Sequence, residues 1–178
     1  IVSGSAALLM VSDLEFESGD LDIYSPPSQE ETVLSLANHR LWFENKTTRM
    51  PRSYPNNAAI FTVHRLEKGA KSMNIIIVNG EDPAAAVFHF HSTVVMNHLM
   101  VFGLYCACPM LTLTDYGVAN LPVVLQDIAA RTSAADCFDK YRERGVTIVN
   151  DVTKLQGHSR HACCLDAECP HTLRSTVD

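Results

Sequence analysis

The chain has 178 residues, which suits a single domain and can bury a core without disulfide or metal staples. It is 47% hydrophobic and 19% charged, a folded balance rather than a disordered one. A net charge of −6 excludes a broadly basic surface for long nucleic acid, and no apolar run approaches the ~20 residues of a membrane span.

Both ends read as cuts. The chain starts at Ile1 inside what reads as a strand, and stops at Asp178 just past a Cys/His cluster. A piece of a longer protein is therefore expected, and a signal peptide is neither seen nor excluded. Six cysteines occur, and their spacing resembles no small secreted disulfide scaffold. Cys106, Cys108 and Cys137 read as small buried hydrophobes. A reducing, intracellular compartment (cytoplasmic or nuclear) follows, and the sequon at Asn45 is read as chance.

In chain order, Ile1 and Val2 end a strand and Gly4-Ser5 makes a tight turn. Residues 6–11 form a short apolar helix. Residues 20–24 alternate polar and apolar, a half-buried strand with both aspartates on one face. Pro26 and Pro27 stop it. Ser28 then caps a helix, with Glu31 completing a capping box and Leu34, Leu36, Leu41 and Trp42 on the buried side. Residues 45–57 read as a polar loop. Residues 58–66 and 73–78 form a hairpin through Glu67, Lys68, Gly69 and Ala70. The second half reads as mostly helical, over residues 91–103, 121–130 and 134–144. Ser133 and Asp136 supply a second capping pair, Gly145 closes that helix, and residues 146–149 form a strand.

Charge is unevenly placed. No Lys or Arg precedes Arg40, whereas Asp13, Glu15, Glu17, Asp20, Asp22, Glu30 and Glu31 do. Such a stretch is a solvated acidic face or a place where cations are wanted. Within it, Asp20 and Asp22 stand at i and i+2 of a strand. Their carboxylates can share a hard cation such as Mg²⁺, which takes oxygen ligands. A glycine turn into a helix start brings backbone N–H groups near an anion such as a triphosphate, and Ser5 adds a hydroxyl. Together these parts suit a nucleotide–metal complex for phosphoryl or nucleotidyl transfer.

The run Val2-Ser-Gly-Ser-Ala-Ala-Leu8, followed by Gly19-Asp-Leu-Asp-Ile-Tyr24, resembles the signature of the nucleotidyltransferase superfamily, with its polymerase β-type palm. More narrowly, the chain is similar to nucleotidyltransferase-like proteins of mushroom-forming fungi. That likeness extends to Met73-Asn-Ile-Ile-Ile-Val78, Phe88-His-Phe-His-Ser-Thr93, Lys140-Tyr-Arg-Glu-Arg-Gly145 and the Cys-Pro tail. The resemblance implies that Gly4 and Ser5 contact nucleotide phosphates and that Asp20 and Asp22 bind Mg²⁺. It also implies a third carboxylate on a neighbouring strand. The strand in the right order spans residues 73–78, and its matching polar position is Asn74. An amide is neutral and is no general base. Glu67, Glu81 and Asp82 lie near in sequence, but none at the matching position.

The tail, from His158 through His161, Cys163, Cys164 and Cys169 to His171, is dense in zinc-type ligands without a paired Cys-x-x-Cys. Cys163, Cys169 and His161 (or His158) are the choices for a structural Zn²⁺, against buried or incidental thiols. His89 and His91 could line a cleft if their segment is a strand, with His98 on the same side of a following helix; satisfied core or surface histidines are the plainer reading.

The expected fold class is α/β (α+β): a small mixed sheet of palm type over residues 1–110, a mostly helical extension over 111–150, and a Cys/His-rich tail over 151–178. Two functions compete. One is Mg²⁺-dependent transfer of a nucleoside monophosphate from a nucleoside triphosphate to a hydroxyl of unknown acceptor. The other is a catalytically degraded palm with a binding or assembly role, and a zinc-stabilised interaction domain is a third reading. Long nucleic acid and membrane are not expected partners.

Overall fold

Strand alternation and glycine turns build one mixed sheet. The computed structural model describes residues 1–41, 43–49, 59–155 and 169–170. The strands are β1 (Val2–Ser3), β2 (Asp20–Ser25), β3 (Glu44–Arg49), β4 (Ile60–Lys68), β5 (Lys71–Val78), β6 (Asn97–Met100) and β7 (Gly103–Cys106). They form a seven-stranded sheet in the order β3-β4-β5-β2-β1-β6-β7. β2 and β5 are its parallel pair, and every other neighbour is antiparallel. A separate parallel pair joins β8 (Tyr116–Val118) to β9 (Thr147–Val149).

The helices are α1 (Ser5–Val11), α2 (Glu30–Ser35), α3 (Pro83–Val87), α4 (Pro109–Thr112), α5 (Leu121–Val124) and α6 (Ile128–Glu143). The core has two sides. Leu66, Met73, Ile75 and Ile77 pack with Val33, Leu34 and Ala37 of the α2 region. On the other side Tyr24, Val63, Ile76 and Val78 pack with Ala86 and Phe90. Leu8 of α1 shares a further cluster with Val94, Val95, Tyr141 and Val146, so residues from both halves of the chain meet in one core. Among the described residues no helix is long and apolar enough to cross a membrane.

Several local expectations change. Residues 91–103 are no helix: a 3-10 turn, Thr93–Val95, leads into the β6–β7 hairpin. Thr93, Val94 and Val95 are β-branched, and the free edge of β1 takes β6 as its partner. Part of the expected polar loop is β3, which pairs with the outer edge of β4. Ser28 caps nothing. It sits in a 3-10 turn, Pro27–Gln29, and its hydroxyl donates to Glu81 Oε2 over 2.6 Å. Leu36 and Leu41 are 52% and 42% exposed, not buried. A π-turn at Leu36–Arg40 widens the helix there and moves the apolar face off register. Trp42 lies outside the described residues. The two helices expected around residues 121–144 become the short α5 and the long α6. Asp127 caps α6, accepting from the Ala130 N–H over 2.8 Å, which leaves Ser133 and Asp136 inside the helix.

The β4–β5 hairpin stands, with a turn of two residues, Gly69 and Ala70, between Lys68 and Lys71. Gly69 has φ +59°, the left-handed conformation a two-residue hairpin turn demands.

Candidate functional site

The site starts at a glycine that no other residue replaces cheaply. Gly4 ends β1 with φ +73° and ψ −147°, a region essentially confined to glycine. Its carbonyl accepts from the Leu8 N–H over 3.1 Å, opening α1. A Cβ built on Gly4 would stand 2.8 Å from Asp22 Oδ2. The glycine bend and the Asp22 carboxylate are thus in direct contact.

Asp20 and Asp22 project from the same face of β2. β5 runs parallel beside them, with Ser72 opposite Asp20 and Asn74 opposite Asp22. The Asn74 amide nitrogen donates to Asp20 Oδ2 over 3.0 Å and to Asp22 Oδ1 over 2.8 Å. Ionised carboxylates only accept, so the amide must turn its NH₂ toward both. The asparagine position singled out in the sequence therefore clamps the two aspartates.

The alternative carboxylates are engaged elsewhere. Glu67 accepts from Arg65 over 3.2 Å, Glu81 from Ser28, and Asp82 caps α3 through the Ala84 N–H over 2.9 Å. Among the described residues no group of three or more His, Cys, Asp or Glu is arranged to hold a metal ion. Ser5 is buried and its hydroxyl lies 3.0 Å from that of Ser18. Ser18 gives its proton to the Asp20 carbonyl over 2.7 Å, so Ser5 donates to Ser18. The Ser5 hydroxyl is spent on holding the β2 entry.

The surroundings raise the cost of charge. Burial pushes the Asp22 carboxyl up to about 6; the Asp20 charge adds to this, while the Asn74 hydrogen bond and Lys140 oppose it. The Tyr141 hydroxyl is pushed above its usual range, first by burial, with Cys137, Asp22 and Asp20 adding to it. His91 is held down to about 4 by burial and by Lys140. Its ring sits edge-on to Phe138 at 5.4 Å between centroids and tilted against Tyr141 at 5.7 Å.

Tyr141 of α6 packs with Leu8 of α1, and Lys140 and Tyr141 feel the charge of the carboxylate pair, a link the sequence reading missed. The available signal was helical spacing: Cys137, Lys140, Tyr141 and Arg144 stand at i, i+3, i+4 and i+7. Lys140 and Arg144 both lie over the Tyr141 ring, at 4.9 and 5.3 Å.

The histidines do not converge. His89 is exposed, His91 belongs to the α6 contact, and His98 is fully buried on β6, stacked on Tyr105 at 4.9 Å. The helical alignment expected for His91 and His98 is lost because His98 lies on a strand. Of the candidate zinc ligands, Cys169 is described and buried, whereas His161 and Cys163 lie outside the described residues. Cys106 and Cys137 are free thiols. An open groove of about 510 Å³ borders Asp20, Ser18 and Ser72.

No protein-family model, no curated protein and no solved structure matches the chain.

Proposed function

We propose that this chain is a nucleotidyltransferase-like module of polymerase β palm type that keeps the glycine bend and the carboxylate pair without two-metal transfer chemistry, and that its role is binding or assembly. The observation that carries this reading is the clamp: Asn74, standing where the resemblance implies a third carboxylate, donates to both Asp20 and Asp22. Element order supports the ancestry, since Gly4 and Ser5 join β1 to α1 and the aspartates stand on the next strand, beside β5.

The residues fit one cation at best. Mg²⁺ can bind through one or two carboxylates plus phosphate oxygens. A second ion needs negative charge that an amide does not supply. Asp20 and Asp22 would hold the single ion, which would supply charge for a nucleoside triphosphate. To do so they must give up the Asn74 hydrogen bonds. Nucleotide and metal binding are accordingly weak.

Titration calorimetry with Mg²⁺ and a non-hydrolysable nucleoside triphosphate tests this, alongside a transfer assay with labelled triphosphates and generic hydroxyl acceptors. Little or no heat at millimolar ligand, and no labelled product, is expected. Strong heat that vanishes in Asp20→Ala and Asp22→Ala, together with product, would establish the rival reading of an active Mg²⁺-dependent nucleotidyltransferase.

A further inference from the structure

The groove beside Asp20 has its own chemistry. At about 510 Å³ it falls within the ~300–1,000 Å³ of small-molecule sites. Leu21, Met73, Leu41 and Phe43 give it a mostly apolar wall. Leu21, Met73 and Phe43 also belong to the packed cluster under α2, so the floor is firm. Its hydroxyl groups are already engaged: Ser18 donates to the Asp20 carbonyl over 2.7 Å, and Ser72 to the Gly19 carbonyl over 3.2 Å.

Charge collects at one end. Lys68 and Lys71 are direct partners across the β4–β5 ladder, where like charges repel. The Lys68 ammonium donates to the Leu41 carbonyl over 2.9 Å, which fixes it at the groove wall. Lys71 lines the groove itself, and among the described residues its ammonium has no hydrogen-bond or ion-pair partner. An anion placed there would relieve the repulsion. Asp20, the acidic group of the groove, is already hydrogen-bonded to Asn74.

We infer that this groove binds a small amphipathic carboxylate, with its anionic group at Lys71 and Lys68 and its aryl or short alkyl body on Leu21, Phe43 and Met73. This site needs no metal and does not use the Asp20–Asp22 clamp as a ligand.

Trp42, the chain's single tryptophan, adjoins the groove residues Leu41 and Phe43 in sequence. The full chain is titrated with 4-phenylbutyrate, with 4-phenylbutanol, inorganic phosphate and adenosine monophosphate as comparisons, by calorimetry and tryptophan fluorescence. Saturable one-to-one binding of 4-phenylbutyrate is expected, with a dissociation constant below ~1 mM. Lys71→Met should weaken it about tenfold and Lys71→Arg should retain it. Lys71 is exposed, so both variants keep the fold, checked by circular dichroism. Ser133→Ala, in the interior of α6 and outside the groove lining, should leave binding unchanged. The inference is overturned by equal binding of 4-phenylbutanol or phosphate, by tighter binding of the nucleotide, by indifference to Lys71→Met, by loss in Ser133→Ala, or by no saturation in the low millimolar range. Apart from tight nucleotide binding, which would count against both readings, these results leave the clamp reading intact, because that rests on metal and triphosphate titrations.

Discussion

Asn74 lies directly opposite Asp22 in the parallel β2–β5 ladder, and its amide donates to the Asp22 carboxylate over 2.8 Å. Asn74→Asp would replace a donor by a third acceptor among two carboxylates. Without metal, the variant should lose stability of order 2 kcal/mol, from repulsion and the lost hydrogen bonds. With Mg²⁺ it should recover, because the added charge favours the cation. Thermal melts with and without Mg²⁺ check this. A variant as stable as the parent without metal would contradict the clamp.

Gly4→Ala meets two obstacles at once. The backbone there has φ +73°, and the new Cβ would stand 2.8 Å from Asp22 Oδ2. Strain of about 1–3 kcal/mol is expected. Urea unfolding should show a lower midpoint, and the Asp22 carboxylate should shift in NMR spectra. Gly19→Ala, where a Cβ meets nothing within 4 Å, is the control.

Acid should reveal two opposed contributions. The Asp22 carboxyl is raised from 3.8 to about 6 in the folded chain. The native state therefore holds a proton that the unfolded chain has released, and stability rises as pH falls from 6 toward 4. His91 is lowered from 6.5 to about 4. There the unfolded chain takes up the proton first, and stability falls as pH drops from 6.5 toward 4. Each effect is worth about 3 kcal/mol at full strength. The parent protein should therefore show a nearly flat profile across that window. Asp22→Asn should be more stable at pH 7 and should lose stability in acid, while His91→Phe should gain it. Denaturant melts at half-unit pH steps decide the matter; a flat profile in both variants would refute the two assignments.

The start of α6 offers a purely structural check. Asp127→Ala removes the cap on the Ala130 N–H and should cost about 1 kcal/mol. Ser133→Ala, in the helix interior, should be neutral or slightly stabilising. The reverse order would place the helix start where local pattern alone puts it.

Legibility in the sequence varied with the range of the forces involved. β2 was readable because alternation of Asp20, Leu21, Asp22, Ile23 and Tyr24 is a local signal, and the β4–β5 turn because Gly69 supplies its positive φ. The special standing of Asn74 was also readable as a polar residue inside an apolar strand. Its hydrogen bonds to both aspartates were not, since they depend on β5 lying beside β2 in a particular register. The β6–β7 hairpin was misread as helix because a short apolar run suits either form. The capping role of Ser28 failed because Glu81, 53 residues away, competes for its hydroxyl.

The amino-acid order alone set the acidic first segment, the glycine bend, the aspartate spacing and the lone asparagine within the apolar strand β5. These depend on residue chemistry and on backbone preferences within a few positions. Tertiary structure decided that Asn74 clamps both aspartates, that α6 packs through Tyr141 against α1, and that His91 and His98 part company. The reason is that hydrogen-bond register, burial and electric fields belong to segments brought together across the chain, and no local window contains both partners.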